Sequence, residues 1–135
     1  MDYLIKKSDN KIYVASDNQY LVYDMTIQRY LNNLLIKKLN NLKTLEKMTK
    51  KLFNFDNKIP LYIADNILLL CITSYRMEES CYINYHEIKK HEVYDKGIII
   101  SFYNNHELKL PKKIAYINQM KKARMIIEYF NKQLN

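Results

Sequence analysis

Glycine is almost absent from this sequence, since Gly97 is the only one among 135 residues. Loops that bind the phosphates of nucleotide cofactors need several glycines, so that the backbone can approach the phosphates closely. The sequence therefore excludes P-loop and dinucleotide-binding enzymes. Long apolar runs are also missing, and the longest, over residues 67–72, has the length of one strand. The first residues contain no apolar secretion signal, so we expect a cytoplasmic protein without a membrane span.

Cysteine is scarce as well, with two residues that we expect to stay reduced. Cys71, Cys81, His86 and His91 are side chains of the types that bind zinc, but the two cysteines stand ten residues apart, whereas zinc sites space them by about two to four. The histidines are an odd number of positions apart, so one strand would place them on opposite faces. We therefore predict no metal site. Hydrolase, kinase and metalloenzyme signatures are also missing, so we predict no catalytic residues, no cofactor and no enzymatic activity.

Positive charge is in excess, with 22 lysines and arginines against 14 acidic residues and a formal charge of +8. Such a balance is typical of proteins that contact nucleic acid or anionic membrane surfaces. Only three of the basic residues are arginines, and lysine suits phosphate contact better than recognition of base edges. Lysine, asparagine, isoleucine and tyrosine are all encoded by AT-rich codons, so a solvated lysine surface without a ligand is the alternative explanation.

Segments rich in β-branched and aromatic residues alternate with short polar turns in two parts of the chain. In the first part this pattern predicts a three-stranded meander, and in the second part it predicts successive hairpins. The run around Cys71 is apolar throughout, so we expect that strand to be buried on both faces. Gly97 is expected to adopt a positive φ in a hairpin turn. The predicted strands cover residues 3–6, 11–15, 19–24, 61–64, 67–72, 81–84, 89–94, 97–103 and 107–110.

Two amphipathic helical segments are predicted between and after the strands. The first runs from Thr26 to Phe53, and at Asn40-Asn41 it either continues or divides into two packed helices. The second has Pro111 in its first turn and runs to about Lys132. The residues expected on the buried faces are Ile27, Leu31, Leu34 or Leu35, Leu39, Leu42, Leu45, Met48, Thr49 and Leu52 in the first segment, and Ile114, Ile117, Met120, Ala123, Ile127, Phe130 and Leu134 in the second.

The order of elements predicts an α+β fold, with antiparallel β-hairpins, a lysine-rich central helical segment and a C-terminal amphipathic helix. A length of 135 residues corresponds to a single domain. Within it we expect a small N-terminal strand set over residues 3–24, the helical segment over 26–53, and a C-terminal sheet plus helix over 58–134. The helical segment is expected to separate the small sheet from the larger one.

Several short motifs follow one another in a particular order in the second half of the chain. They are Lys58-Ile59-Pro60, Leu69-Leu70-Cys71-Ile72-Thr73-Ser74, Cys81-Tyr82-Ile83-Asn84, Phe102-Tyr103-Asn104-Asn105 and Asn118-Gln119. In this order they resemble the bacterial competence transcription factor family ComK, over about residues 58–123. The chain departs from the family pattern at Tyr82, which replaces a tryptophan, and at His106, which replaces a turn glycine. It also lacks a glycine-containing segment before Lys58 and the extended C-terminal tail of longer members.

The resemblance implies a transcriptional activator that binds AT-rich double-stranded DNA through the minor groove, as a homodimer or higher oligomer. Lys58, Pro60 and Gln119 match the family motifs, and Lys58 is carried over as a phosphate contact. Lysines on the helical segments are expected to neutralise further phosphates, while groove width selects the sequence. A second resemblance, to pleckstrin-homology-like domains, implies a protein- or membrane-interaction module instead. The predicted DNA-contacting residues are Lys43, Lys47, Lys50, Lys51, Lys58, Lys112, Lys113, Lys121, Lys122 and Arg124.

Overall fold

Antiparallel strands form two sheets in the computed structural model, which describes residues 1–134, and three α-helices pack against them. The predicted α+β class is therefore confirmed, as are the meander and the hairpins. Two short 3₁₀ turns lie at Ile36–Lys38 and Tyr85–Glu87. The elements are β1 (Tyr3–Lys6), β2 (Ile12–Ser16), β3 (Gln19–Tyr23), α1 (Ile27–Leu35), α2 (Leu42–Phe53), β4 (Leu61–Ala64), β5 (Ile67–Thr73), β6 (Ser80–Asn84), β7 (Ile88–Tyr94), β8 (Gly97–Phe102), β9 (Glu107–Leu110) and α3 (Ile114–Leu134).

The larger sheet contains six strands in the order β3-β2-β1-β6-β5-β4. The N-terminal strands are thus part of the same sheet as β4 to β6, and the expectation of a separate N-terminal sheet was wrong. The reason is that β1 pairs on both sides, with β2 and with β6, and Tyr3 lies opposite Ile83. Strands β1 and β6 are about eighty residues apart in sequence, so no local sequence pattern indicates that they pair. The second sheet has the order β7-β8-β9.

Both faces of the central strands of the six-stranded sheet are covered by other elements, whereas the edge strand β3 is exposed on both faces. On one face, α1 and α2 pack over alternate strand residues such as Leu4, Leu69 and Cys71. On the other face, the three-stranded sheet and α3 pack over Leu68 and Leu70. Strand β5 is therefore buried on both faces, as its apolar sequence predicts. The domain core consists of two apolar clusters, one on each side of this sheet.

The central helical segment divides into two helices, at the predicted Asn40-Asn41 position. Thr26 caps α1 by accepting a hydrogen bond from the backbone N–H of Arg29. Leu39 then adopts a left-handed conformation with φ of 56°, which ends the first helical stretch. Asn41 caps α2 through its side-chain oxygen, which accepts from Thr44 N–H at 2.9 Å.

The buried face of α2 agrees with the predicted one at Leu42, Leu45 and Thr49 and differs elsewhere. Met48 and Leu52, and Leu39 before the helix, were expected inside, but their side chains are 62%, 55% and 97% exposed. The buried residues include Glu46, whose carboxylate accepts a hydrogen bond from the Tyr75 hydroxyl at 2.5 Å. Glu46 is thus buried on the same side as Leu45 and Thr49, while Met48 and Leu52 face outward.

The buried face of α3 also agrees with the prediction in part, because Ala123 is buried and Met120 and Ile127 pack against the core. The helix begins at Ile114, three residues after Pro111, so the proline precedes the first turn. Ile114, Ile117 and Phe130 were expected to be buried but are exposed. The side chain of Leu134 and residue 135 lie outside the described part. Within residues 1–134, no helix is both long enough and apolar enough to cross a membrane. The residues buried in α3 are Tyr116, Gln119, Ala123 and Ile126.

A buried acidic residue joins the two sheets at the start of the chain. Asp2 is fully buried, and its carboxylate accepts hydrogen bonds from His106 Nδ1 at 2.6 Å and from Asn104 Nδ2 at 3.0 Å. Its backbone also pairs with β2 and β6, through Ala15 and Asn84. Asp2 therefore connects the six-stranded sheet to the β8–β9 turn. His106, which stands where the family pattern has a turn glycine, has Asp2 as a specific hydrogen-bond partner.

Gly97 is required for a reason other than a positive φ, which it does not have. The left-handed residue of the turn is Asp95, with φ of 48°. A Cβ atom added at Gly97 would lie 2.6 Å from Cζ of Tyr94 and 2.7 Å from the carbonyl oxygen of Leu110. Such distances are too short for nonbonded atoms, so glycine is needed here because of close packing.

Gly97→Ala is expected to lower the free energy of unfolding by about 1–3 kcal/mol, because the methyl group displaces a ring and a backbone carbonyl. The measurement is the midpoint of urea unfolding. Lys96→Ala at the exposed neighbouring position is the control and should leave the midpoint unchanged. Equal midpoints for Gly97→Ala and the unmodified protein would contradict the packing explanation.

Candidate nucleic-acid interface

A concave surface lined by five lysines lies at the start of α3, and we call it the lysine cleft. Its volume is about 760 Å³. Three segments form its walls: the loop before β4, the β7–β8 turn, and the residues around the first turns of α3. Asp95 is the one acidic residue in this lining. The lysines that line it are Lys58, Lys96, Lys112, Lys113 and Lys122.

The Gln119 side chain fixes one wall of the lysine cleft. Its Oε1 accepts a hydrogen bond from the backbone N–H of Cys71 at 2.7 Å, and its Nε2 donates to the carbonyl oxygen of Lys58 at 2.6 Å. The β4–β5 ladder begins only at Leu61 and Leu69. The buried amide therefore satisfies backbone groups of both segments where strand pairing is absent.

Lys122 holds the same loop from the next turn of α3. Its Nζ donates to the carbonyl oxygens of Asn57 at 2.7 Å and Lys58 at 3.2 Å. Burial lowers the pKa of Lys122. Lys58 has a left-handed backbone, with φ of 44°, which these contacts hold in place. Part of the positive charge in the cleft thus has a structural role.

The opposite wall is connected to α3 by a backbone hydrogen bond, in which Lys113 N–H donates to the Lys96 carbonyl oxygen at 2.9 Å. The first turn of α3 contains no acidic residue. Its unpaired backbone N–H groups and the helix dipole therefore add partial positive charge beside the lysines. This arrangement suits an anion that carries several oxygens, such as a phosphate.

The lysines of α2 lie on a different surface. Lys43, Lys47 and Lys50 are exposed and lie on one side of the helix. Lys47 and Lys51 also border a groove of about 1040 Å³ between α2, β4 and α3, which we call the α2 groove. Its lining includes the exposed apolar side chains of Met48, Leu52 and Phe130.

The structure therefore brings together some of the predicted DNA-contacting residues and separates others. Lys58, Lys112, Lys113 and Lys122 converge on the lysine cleft, whereas the α2 lysines do not line it. Lys121 and Arg124 are exposed on α3 but line neither surface. Lys96 was not among the predicted residues, although Gly97 beside it was expected in a hairpin turn, because nothing in the sequence indicates that this turn faces α3.

The side chains considered for zinc do not converge. Cys71 packs on the face of the large sheet that α1 and α2 cover, and Cys81 packs on the opposite face, which α3 and the smaller sheet cover. Burial raises the pKa of the Cys71 thiol and raises that of Cys81 to about 12, which disfavours the thiolate forms that bind metals. His91 Nδ1 lies 3.1 Å from the Tyr116 hydroxyl. Across residues 1–134, no cluster of three or more Cys, His, Asp or Glu side chains is arranged to hold a metal ion.

Comparisons with known proteins give one match. The family model described as ComK protein matches residues 3–135, which is nearly the whole chain. No curated protein and no solved structure matches significantly. The match extends the similarity in the second half of the sequence to the meander and to the central helices.

Gln119→Leu is expected to destabilise the protein, because it leaves the Cys71 N–H without a partner and removes one of the two hydrogen bonds to the Lys58 carbonyl. One unpaired buried group costs about 1–3 kcal/mol. Urea unfolding measures the total, and amide hydrogen exchange at Cys71 reports the lost bond directly. Asn118→Leu is the matched control, since Asn118 is the exposed neighbour in the same helix. A Cys71 amide that stays equally protected in Gln119→Leu would contradict the assignment.

Proposed function

Because this chain belongs to the ComK family of competence transcription factors, we propose that it regulates transcription by binding AT-rich double-stranded DNA, with the lysine cleft as the principal phosphate contact. The observation that carries the proposal is the convergence of five lysines and a helix N-terminus on one cleft with a single acidic residue. Lysine ammonium groups at such a surface neutralise DNA phosphates and release counterions.

The α2 and α3 lysines outside the cleft extend this contact in the proposal. Lys43, Lys47, Lys50 and Lys51 add a second basic surface, and Lys121 with Arg124 adds exposed charge on α3. Long-range attraction from these groups accelerates the encounter with DNA and strengthens binding to any sequence. In this proposal the protein binds DNA and catalyses no reaction. We expect it in the cytoplasm, where it has access to chromosomal DNA.

The preference for AT-rich DNA rests in the proposal on groove shape. Lysine makes point-charge contacts, whereas arginine makes the bidentate contacts that distinguish base edges. The chain has 22 basic residues and only three of them are arginines. A surface of this kind responds to the narrow minor groove of A-tracts, where the negative potential is strongest. We further propose that two or more copies bind together, so that each supplies one lysine cleft.

One observation favours a second candidate function. The α2 groove exposes Met48, Leu52 and Phe130 beside one another, and exposed apolar surface of this kind is typical of interaction sites. This supports the interaction module implied by the pleckstrin-homology-like resemblance. Liposome sedimentation compared with a DNA mobility-shift assay distinguishes a membrane-binding module from a DNA-binding protein.

Neutralising two lysines of the cleft is expected to weaken binding to every duplex and to flatten its salt dependence. For Lys112→Gln with Lys113→Gln, the slope of log affinity against log salt should become shallower by about 2, because each phosphate contact contributes about 0.9. Fluorescence anisotropy with one labelled duplex over a salt series measures both quantities.

Two control variants accompany this measurement. Lys112→Arg with Lys113→Arg keeps the charge and should retain both affinity and slope. Lys7→Gln with Lys11→Gln removes the same charge at the β1–β2 turn, outside both lysine surfaces, and should change the slope less. An equally shallower slope in the Lys112→Gln, Lys113→Gln protein and in the Lys7→Gln, Lys11→Gln protein would show that net charge alone governs binding. It would contradict the proposal that the lysine cleft is the principal phosphate contact.

Replacing A·T pairs with inosine·cytosine pairs is expected to leave binding nearly unchanged. These pairs resemble A·T in the minor groove, because inosine lacks the amino group that guanine places there, but they resemble G·C in the major groove. Competition between AT-rich, inosine-containing and GC-rich duplexes of equal length measures the preference. Binding of the inosine duplex as weak as that of the GC-rich duplex would contradict minor-groove recognition.

A further inference from the structure

Strand β3 is an edge of the six-stranded sheet, with β2 as its one neighbour. Its sequence, Gln19-Tyr20-Leu21-Val22-Tyr23, contains no charged residue and no proline. Tyr20 is 61% exposed, Leu21 38% and Val22 54%. An edge strand presents unpaired backbone N–H and C=O groups, and an apolar, uncharged edge readily pairs with another strand.

The other edges of the two sheets carry features that prevent such pairing. Strand β4 is short, follows a proline and has an irregular register after Tyr62. Strands β7 and β9, the edges of the smaller sheet, carry exposed charged side chains. Charges, proline and bulges are the means by which natural proteins block edge pairing. The blocking residues are Pro60 before β4, Lys89, Lys90 and Glu92 in β7, and Glu107 and Lys109 in β9.

The charge distribution indicates what kind of strand pairs with β3. Two copies of a chain with a formal charge of +8 repel one another over most of their surfaces. Residues 12–28, which include β3, contain no lysine or arginine and two aspartates, Asp17 and Asp24. The exposed strand β3 within this segment is therefore a place where two copies can approach with little repulsion. Its uncharged strand offers no charge pattern that would select a foreign acidic or basic partner.

We propose that β3 is the surface through which two copies of this chain associate, by antiparallel pairing of β3 with the β3 strand of the second copy. A twofold axis places the same surface against itself, and two antiparallel strands satisfy this symmetry. The two six-stranded sheets then form one continuous sheet across the dimer. The inference rests on the proposed function in assuming that more than one copy acts on DNA.

The position of β3 keeps the basic surfaces free in this arrangement. Strand β3 lies at one edge of the sheet and β4 at the other, about 24 Å away, because neighbouring strands are about 4.8 Å apart. Lys58 immediately precedes β4, and Gln119 connects α3 to the adjacent β5. The lysine cleft of each copy is therefore close to the far edge of its own sheet, away from the contact.

A lysine introduced into β3 tests the proposal. Val22→Lys adds a positive charge to each of the two paired strands, close to the twofold axis. We expect it to reduce the solution mass from twice the 16.4 kDa of one chain to that of one chain. Sedimentation velocity over a concentration series measures the mass. Val93→Lys is the matched control, because Val93 is also an edge-strand valine and is 53% exposed against 54% for Val22. It should remain dimeric, as should the uncharged Val22→Thr.

Hydrogen exchange of the unmodified protein gives a test that does not depend on a variant folding. Amide protection over residues 19–23 should rise with protein concentration, whereas protection of β7 should not. An unmodified protein that is monomeric at every concentration, a dimeric Val22→Lys, or unchanged protection of β3 would each overturn the proposal. The proposed function has a separate test. Monomeric Val22→Lys should still bind a short duplex, and adding Lys112→Gln and Lys113→Gln to it should make the salt dependence of that binding shallower.

Discussion

Strand β5 must be covered on both faces, and most of the architecture depends on this requirement. The residues from Leu68 to Ile72 are all buried, alternately facing α1 and α2 on one side and α3 with the smaller sheet on the other. Burying such side chains contributes about 1.5–3 kcal/mol each relative to exposure. Two separate layers are therefore needed to cover β5. Helices α1 and α2, which precede β5 in the sequence, form one layer, and the smaller sheet and α3, which follow it, form the other.

The lysine cleft is a consequence of how α3 is held against β5, more than of any pattern within α3. Gln119 occupies the buried face and joins Cys71 to the loop at Lys58, while Lys122 holds the same loop from outside. The backbone contact between Lys113 and Lys96 adds the β7–β8 turn. Lysines from three distant parts of the sequence thus meet because polar side-chain and backbone groups are satisfied there. The charge available to a ligand is smaller than the lysine count, since Lys122 already contacts two carbonyl oxygens.

Local patterns in the sequence were sufficient to predict the strands and the hairpins and to indicate Asn40-Asn41 as a place where the helical segment can divide, because alternation, turn residues and caps act over a few positions. They predicted the buried face of α1, but only part of the buried faces of α2 and α3. Glu46 and Gln119 are polar, yet hydrogen bonds to Tyr75 and to Cys71 bring them inside, and the apolar Met48 and Ile114 remain outside. The joining of β1 to β6 and the convergence of Lys58, Lys96 and Lys112 depend on tertiary contacts, which short-range periodicity does not encode.

The pairing of β1 with β6 also determines the order in which the chain can fold. The meander β1 to β3 can form as soon as residues 3–23 have been synthesised, because its contacts are local. One side of β1 nevertheless stays unpaired until Ser80–Asn84 is available, about eighty positions later. Contacts of such sequence separation slow folding. During synthesis the nascent chain therefore exposes two free strand edges, β1 and β3, and completion of β6 removes the first of them.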